Sequence, residues 1–201
     1  MRKHRHNTNQ MSMSNDYRKH QRGMSLLELM MALVVLAVGL GALTNVLAIA
    51  VTTDNWNNKD TSATLLAQMV VEQISAQAPN VTTAITVTDC QGTAWTVNTA
   101  GSASPGTGAT LVTSSSSFYQ GDIDQTQAIS SIASGYSMKY VDCGNSGQSL
   151  PPTTYDVRWN IMTVGNTSYA RLITASARPL ASGVRGAQFV FPVNLRLVAG
   201  P

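Results

Sequence analysis

The chain has 201 residues, of which 43% are apolar and 11% charged, whereas ordinary soluble domains are about 25% charged. Low charge with abundant Ser, Thr, Gly and Asn indicates an exported protein with one folded domain and appendages. The formal net charge of +3 does not indicate a nucleic-acid partner, which needs a basic patch on the folded domain. From Met24 onward, seven basic residues face nine acidic ones.

Residues 1–23 form a polar, basic head without apolar periodicity. They hold six of the thirteen basic residues, all three histidines and one acid, Asp16. The basic residues are Arg2, Lys3, Arg5, Arg18, Lys19 and Arg22, and the histidines are His4, His6 and His20. This composition predicts a removable leader that stays in the cytoplasm while everything after Val51 is exported. Met11 and Met13 are alternative start residues that leave a shorter leader.

Removal of the leader would leave a mature chain without histidine. Imidazole is the commonest general base and the commonest transition-metal ligand, so we predict no enzyme, no cofactor and no metal site. The serine run 114–117 lacks a nucleophile-elbow motif. Asp122 and Asp124 could offer two carboxylates to calcium, but no third acid or turn glycine follows at EF-hand spacing. A solvated loop is the preferred interpretation of this segment.

An apolar run from Leu29 to Val51 follows the leader without a charge or a proline. At about 1.5 Å of rise per residue it makes roughly 34 Å of helix, slightly more than a bilayer's hydrocarbon core of about 30 Å. The run can therefore span a membrane. Glu28 lies at its head, where a carboxylate is either functional or simply solvated in the headgroup region.

The segment Gly23-Met24-Ser25-Leu26-Leu27-Glu28-Leu29-Met30 resembles the class III signal of type IV prepilins and related pseudopilins. The resemblance implies that prepilin peptidase cuts between Gly23 and Met24 on the cytoplasmic side. It also implies that Met24 becomes N-methylated and that Glu28 is needed for assembly. The family usually has phenylalanine at the position of Met24.

Cleavage at Gly23 would create a new amine on Met24 at the start of an apolar helix. Glu28 can accept that cation, either within one chain or from a subunit packed beside it. Burial of the two opposite charges at a contact between subunits fixes axial register better than apolar side chains do.

Apolar periodicity predicts one helix from about Ser25 to Ala78, with a membrane half over 24–53 and an amphipathic half over 54–78. The apolar stripe of the second half consists of Leu65, Leu66, Met69, Val70 and Ile74. The polar stretch 52–58 is the expected site of fraying or kinking. Gly39 and Gly41 either loosen the membrane half or allow close helix packing.

Residues 79–201 are predicted to form an exported, β-rich globular domain. Short β-like runs at 84–88 and 93–98 predict a hairpin, and 99–117 reads as an exposed loop because Gly, Ser, Thr and Ala dominate it. A helical turn is expected over 128–132 and a strand over 137–143.

Residues 154–164 alternate regularly between apolar and polar side chains, which is the clearest strand signal in the sequence. Tyr155, Val157, Trp159 and Ile161 share one face, and Asp156, Arg158 and Asn160 share the other. A turn at 165–168 and a partner strand at 169–177, ended by Pro179, follow. An edge strand or extended tail is expected over 187–198. We predict an α+β, pilin-like fold in which the helix covers the apolar face of an antiparallel sheet, Trp159 anchors the core, and the polar face meets solvent.

Cys90 and Cys143 both lie in the part predicted to be exported, where an oxidising compartment permits a disulfide. If paired, they close a loop of about 54 residues worth roughly 4 kcal/mol on the chain-entropy model. The alternative is two free thiols.

The pair Ala67-Gln68 with Glu72, and the strand from Tyr155 to Trp159, resemble the PilV-type minor pilins, also called type IV pilus modification proteins. This resemblance extends over about 18–76 and, more weakly, over 154–179. It implies a minor pilin that primes or enters a filament, with other major and minor pilins, prepilin peptidase, the inner membrane and the pilus assembly platform as partners. The implied location is the bacterial inner membrane, with a cytoplasmic N-terminus, and then the cell-surface pilus.

Two other functions remain open from sequence. A minor pseudopilin of a type II secretion system would share the signal and the helix. A membrane-anchored enzyme or adhesin is the third possibility. The enzyme is disfavoured by the missing histidines, whereas adhesion would reside in the region 99–148.

Overall fold

The computed structural model of the protein describes residues 25–113, 119–144, 152–165, 170–180 and 191–200. The chain divides into two compact units, Met1–Val51 and Thr52–Pro201. Helix α1 (Leu26–Ser75) contributes to both. The prediction of one long helix is confirmed, although the helix ends at Ser75 rather than Ala78. Residues 52–58, where fraying was expected, are helical throughout.

One face of α1 enters the core of the second unit. Its buried residues follow the 3.6-residue period and are Ala63, Leu66, Ala67, Val70, Val71 and Ile74. The predicted stripe was wrong about Leu65, which is 60% exposed. Leu65 lies beside this face, whereas Ala63 and Ala67 lie on it. Their small side chains let the helix backbone approach its neighbours closely.

Within the described residues, seven strands form two antiparallel sheets. The first is the hairpin of β1 (Ile85–Thr88) and β2 (Ala94–Val97), which confirms the predicted hairpin. The second contains β3 (Thr107–Gly108), β4 (Ser137–Asp142), β5 (Thr153–Thr163), β6 (Arg171–Pro179) and β7 (Val193–Ala199). Its order is β3-β5-β6-β7, and β4 pairs with β5 beside β3. The predicted strand at 137–143 and the helical turn, a 3₁₀ turn at Ile129–Ser131, are both confirmed.

The predicted partner strand and edge strand are shifted from their expected bounds. Strand β6 ends at Pro179, as expected, and β7 begins just after Pro192. Pro192 cannot donate to a strand ladder, which explains this start. Gly165 adopts a positive φ of 77° at the predicted turn. The turn residues 166–168, residue 169 of the expected partner strand and residues 187–190 of the expected edge strand lie outside the described residues.

The apolar face of β5 packs in the core, as predicted. Tyr155, Val157, Trp159 and Ile161 are at most 1% exposed. Trp159 donates its indole N–H to the carbonyl of Asn98 at 3.0 Å. The Tyr155 hydroxyl is hydrogen-bonded to Ser62 of α1, and burial raises the pKa of Tyr155. The Tyr155–Ser62 contact and the shared hydrophobic core join the helix to the sheet and confirm the α+β arrangement of a long helix packed on antiparallel strands.

The other face of β5 is also buried, which corrects the prediction that it meets solvent. Asp156, Arg158 and Asn160 are at most 3% exposed. Arg158 donates to both carboxylate oxygens of Asp156, at 2.9 and 2.8 Å. It also donates to the carbonyls of Asp124 and Gln127, at 3.1 and 2.8 Å. The segment 119–128 therefore covers this face through hydrogen bonds to its backbone.

The interpretation of 99–117 as an exposed loop is wrong for its first part. Thr99 and Ala109 are buried, and Thr107–Gly108 forms β3 against β5. A Cβ on Gly108, whose φ is 115°, would collide with the carbonyl oxygen of Trp159. Glycine therefore lets this segment lie directly against the β5 backbone. Residues 114–118 lie outside the described residues.

Arg171 of β6 holds the end of α1. Its Nη2 donates to the carbonyls of Ile74 and Gln77 at 2.6 and 2.7 Å, and its Nη1 donates to Thr99 at 3.2 Å. The last carbonyls of a helix lack partners within the helix and carry partial negative charge. The last turn of α1 has no basic residue of its own. A buried cation from the sheet supplies the missing donors, and burial lowers its pKa.

Candidate functional site

The start of α1 is built by a serine cap. Ser25 Oγ accepts a hydrogen bond from the backbone N–H of Glu28 at 3.2 Å. The Ser25 carbonyl accepts from Glu28 and Leu29 at 3.0 and 3.2 Å. This geometry makes Ser25 the N-cap and Glu28 the third residue of the first turn. The pattern Ser-x-x-Glu is the sequence signature of a capping box. Sequence analysis missed this role of Ser25 although the signal was present.

Glu28 lies in the first turn of α1. A carboxylate is favoured there because the helix N-terminus carries partial positive charge. The residue is exposed, as are its neighbours Leu26 and Leu27, at 79% and 74%. Among the residues that the structure describes, no cation lies within ion-pair distance of it. The carboxylate is therefore available to a partner from outside this part of the chain.

Gly23 and Met24 directly precede the cap and lie outside the described residues. The structure therefore does not test the cleavage and methylation that the sequence predicts there. The described helix starts two residues after Met24, so a cut after Gly23 would place the new amine one residue before the cap.

The N-terminal part of α1 is apolar and entirely exposed. An 18-residue window of the helix has a mean hydropathy of 2.5, and none of it is buried. By length and composition, α1 could cross a membrane. Exposed leucine, valine and isoleucine side chains continue to Val51. Such a surface in water would cost roughly 25 cal/mol per Å² of apolar area, so a lipid or protein environment is expected around it.

The second candidate site, the cysteine pair, joins the two sheets. Cys90 and Cys143 form a disulfide with a Cα–Cα distance of 5.9 Å. Cys90 lies in the β1–β2 turn, and its N–H donates to Val141 of β4 at 3.4 Å. Asp89 fixes this turn by accepting hydrogen bonds from the N–H groups of Gln91 and Thr93. Desolvation opposes ionisation of Asp89, but hydrogen bonds, including one from Trp95, outweigh it and lower the pKa.

Replacing Cys90 and Cys143 by serine should lower the free energy of unfolding by about 4 kcal/mol, because an open chain has more conformational freedom when unfolded. Urea titration of the detergent-solubilised chain would measure this loss. Reductant should shift the midpoint of the native chain and leave that of the double variant unchanged. Equal midpoints for the oxidised native chain and the variant would contradict the expectation.

The Asp122-Ile123-Asp124 segment is not a solvated loop, which corrects the sequence interpretation. Asp122 pairs with Arg196 at 2.7 Å, and Ile123 is buried. Asp124 accepts hydrogen bonds from the hydroxyl and N–H of Thr126, which lower its pKa. Within the described ranges, no three metal-ligating side chains cluster here or elsewhere. The Asp122 carboxylate thus fastens the segment to β7, and the Asp124 carboxylate is occupied by Thr126 within the segment.

The structure brings together Cys90 and Cys143, and it places Glu28 at a capped helix start. A family model for the prokaryotic N-terminal methylation motif matches residues 18–44. No curated protein and no solved structure matches the chain. The matched segment contains the cap, Glu28 and about the first two thirds of the apolar run, so the chain carries an N-terminal methylation motif of the kind found in type IV pilins and pseudopilins.

Proposed function

We propose that this chain, which carries the N-terminal methylation motif of type IV pilins and pseudopilins, is a minor pilin of a type IV pilus. The observation that carries the proposal is the motif's position. It matches residues 18–44, where a single acid, Glu28, lies in the first turn of a long, exposed apolar helix. That arrangement suits a subunit that is stored in a membrane and later packed among similar helices.

Processing is the first step of the proposed function. Prepilin peptidase cuts between Gly23 and Met24 on the cytoplasmic side and removes the basic leader. Met24 then bears the new amine and is methylated on it. The positively charged residues before Gly23 favour a cytoplasmic N-terminus and an exported β-rich domain.

Assembly is the second step. In the membrane, the Glu28 carboxylate faces the headgroup region, where water can solvate it. In a filament, it would leave water and would need a cation, which the Met24 amine of a neighbouring subunit supplies. A buried carboxylate without a partner costs several kcal/mol, so subunits with this pair in register are strongly preferred over subunits out of register.

The resemblance to PilV-type proteins favours a minor over a major subunit. Many major pilins close a loop near the C-terminus with two cysteines, whereas Cys90 and Cys143 join the β1–β2 turn to the end of β4. The partners of a minor pilin would be other pilins and the assembly platform in the inner membrane. An adhesive role would reside in the region 99–148.

A minor pseudopilin of a type II secretion system is the second candidate, because pseudopilins carry the same N-terminal motif. Deletion of the coding sequence separates the two. Loss of surface pili or of twitching motility, with protein secretion intact, supports the pilus assignment. Loss of secretion with pili unchanged contradicts it and supports the pseudopilin.

A further inference from the structure

Trp56 is an exposed aromatic residue in the polar stretch of α1 that follows the apolar run. It is 38% exposed and does not belong to the hydrophobic core. The other two tryptophans have internal acceptors, Asp89 for Trp95 and the carbonyl of Asn98 for Trp159. Within the described part of the chain, no acceptor is seen for the Trp56 indole N–H. Within the described residues, neither the hydrophobic core nor a hydrogen bond accounts for its position.

The position of Trp56 along α1 matches the thickness of a membrane. Glu28 and Trp56 are 28 residues apart in one helix, which corresponds to about 42 Å at 1.5 Å of rise per residue. A bilayer including its headgroup layers is about 40–45 Å thick. When Glu28 lies at the cytoplasmic headgroups, Trp56 therefore lies at the headgroups of the opposite leaflet.

We propose that Trp56 anchors the stored subunit at the exported face of the membrane by inserting its indole among lipid headgroups. The inference rests on the membrane stage of the proposed function. The indole ring is apolar over most of its area, and its N–H can donate to a lipid ester carbonyl. Tryptophan is enriched at this depth in membrane proteins for that reason. Asp54, Lys59 and Asp60 flank it and must stay in water or at the headgroups.

The anchor gives the helix a defined depth. Glu28 resists entry into hydrocarbon at one end, and Trp56 favours the interface at the other. The subunit is thereby held with its capped N-terminus at the cytoplasmic surface. Extraction into a filament must withdraw Trp56 from lipid. Quenching of Trp56 fluorescence by lipid probes therefore distinguishes the membrane-stored subunit from the filament subunit.

Quenching of tryptophan fluorescence by nitroxide lipids tests the anchor. The full chain is reconstituted in phosphatidylcholine vesicles that carry the nitroxide at the headgroup or deep in the acyl chain. The native chain should be quenched more strongly by the headgroup probe, and Trp56→Phe should abolish this lipid-dependent quenching. Adding Val51→Trp to Trp56→Phe moves the indole about 7.5 Å along the helix, and the deep probe should then quench more strongly.

Quenching that is unchanged in Trp56→Phe, or Trp56 quenched only by aqueous acrylamide, would overturn the inference. Far-UV circular dichroism and the intact disulfide verify folding of each variant. Flotation of the chain with vesicles distinguishes a failure of the anchor from a failure of the proposed function. A chain that fails to float with vesicles contradicts the anchor. A chain that floats with headgroup quenching, yet never enters filaments in cells, supports the anchor and contradicts the assignment as a filament subunit.

Discussion

Glu28→Gln is expected to be cleaved and membrane-bound but absent from sheared surface filaments. Glutamine still fits the capping-box pattern, whose third residue is Glu or Gln. The Ser25 Oγ accepts from the backbone N–H of residue 28, which the substitution leaves in place, so the helix start stays intact. Only the charge is lost. The Met24 amine of the neighbouring subunit would then be buried without its counter-charge, at about 3–5 kcal/mol. That corresponds to a loss of incorporation of roughly a hundredfold or more.

Glu72→Gln is the matched control, since Glu72 is also an exposed glutamate of α1. It accepts a hydrogen bond from Gln68 at 2.7 Å, near the other end of the helix. Immunoblots of sheared filaments and of membranes should show the Glu72 variant in both fractions. Normal incorporation of the Glu28 variant into filaments would contradict the proposed role of the Glu28 carboxylate.

Asp156→Asn is expected to destabilise the β-rich domain by about 3–5 kcal/mol, because it leaves a buried cation without its partner. Asp156 is fully buried and binds Arg158 through two hydrogen bonds, with Arg178 at 3.3 Å as a further partner. Asparagine has nearly the same shape but presents an amide donor to these guanidinium donors. The release of Arg158 also weakens its hold on segment 119–128. Urea unfolding of the detergent-solubilised chain measures the loss.

Asp122→Asn provides the comparison, because it removes the same charge from an exposed pair. The side chains of Arg196 and Asp122 are 41% and 24% exposed, and such pairs contribute about 0–1 kcal/mol. We therefore expect a large shift in the unfolding midpoint for Asp156 and a small one for Asp122. Equal shifts would mean that burial does not determine the strength of these pairs.

Elements with a strong local pattern were predictable from sequence. The helix α1, the β1–β2 hairpin and the strand β5 all follow from runs of residues whose period is visible without tertiary information. Which residues of these elements are buried was less predictable. Leu65 was assigned to the core because it falls in the apolar stripe, whereas the buried face includes Ala63 and Ala67, whose contribution is to allow close approach.

Contacts between distant segments could not be predicted. The Gly-rich stretch before residue 109 reads as a loop, but the absence of side chains at Gly106 and Gly108 is what lets β3 lie against β5. The polar face of β5 looks solvated until segment 119–128 covers it. Arg171 caps a helix that ends 96 residues earlier in sequence. In each case the partner lies far along the chain, and local periodicity carries no information about it.

The candidate site was more accessible to sequence reasoning than the fold. A basic leader, a glycine, a lone glutamate and a charge-free run are all local, and the matched family model covers the end of the leader, the glycine, the glutamate and most of the run. The structure adds the Ser25 cap, which defines where the helix begins relative to Gly23. It also adds the exposed Trp56, which gives the membrane-stored helix a second boundary.

Mass spectrometry of the protein from sheared surface filaments tests the central claim most directly. The predicted result is a mature chain that begins at Met24 and carries one methyl group on its amine, in filaments that also contain other pilins. A chain that begins at Met1, Met11 or Met13, or a protein missing from filaments although present in the membrane, would contradict the assignment as a filament subunit.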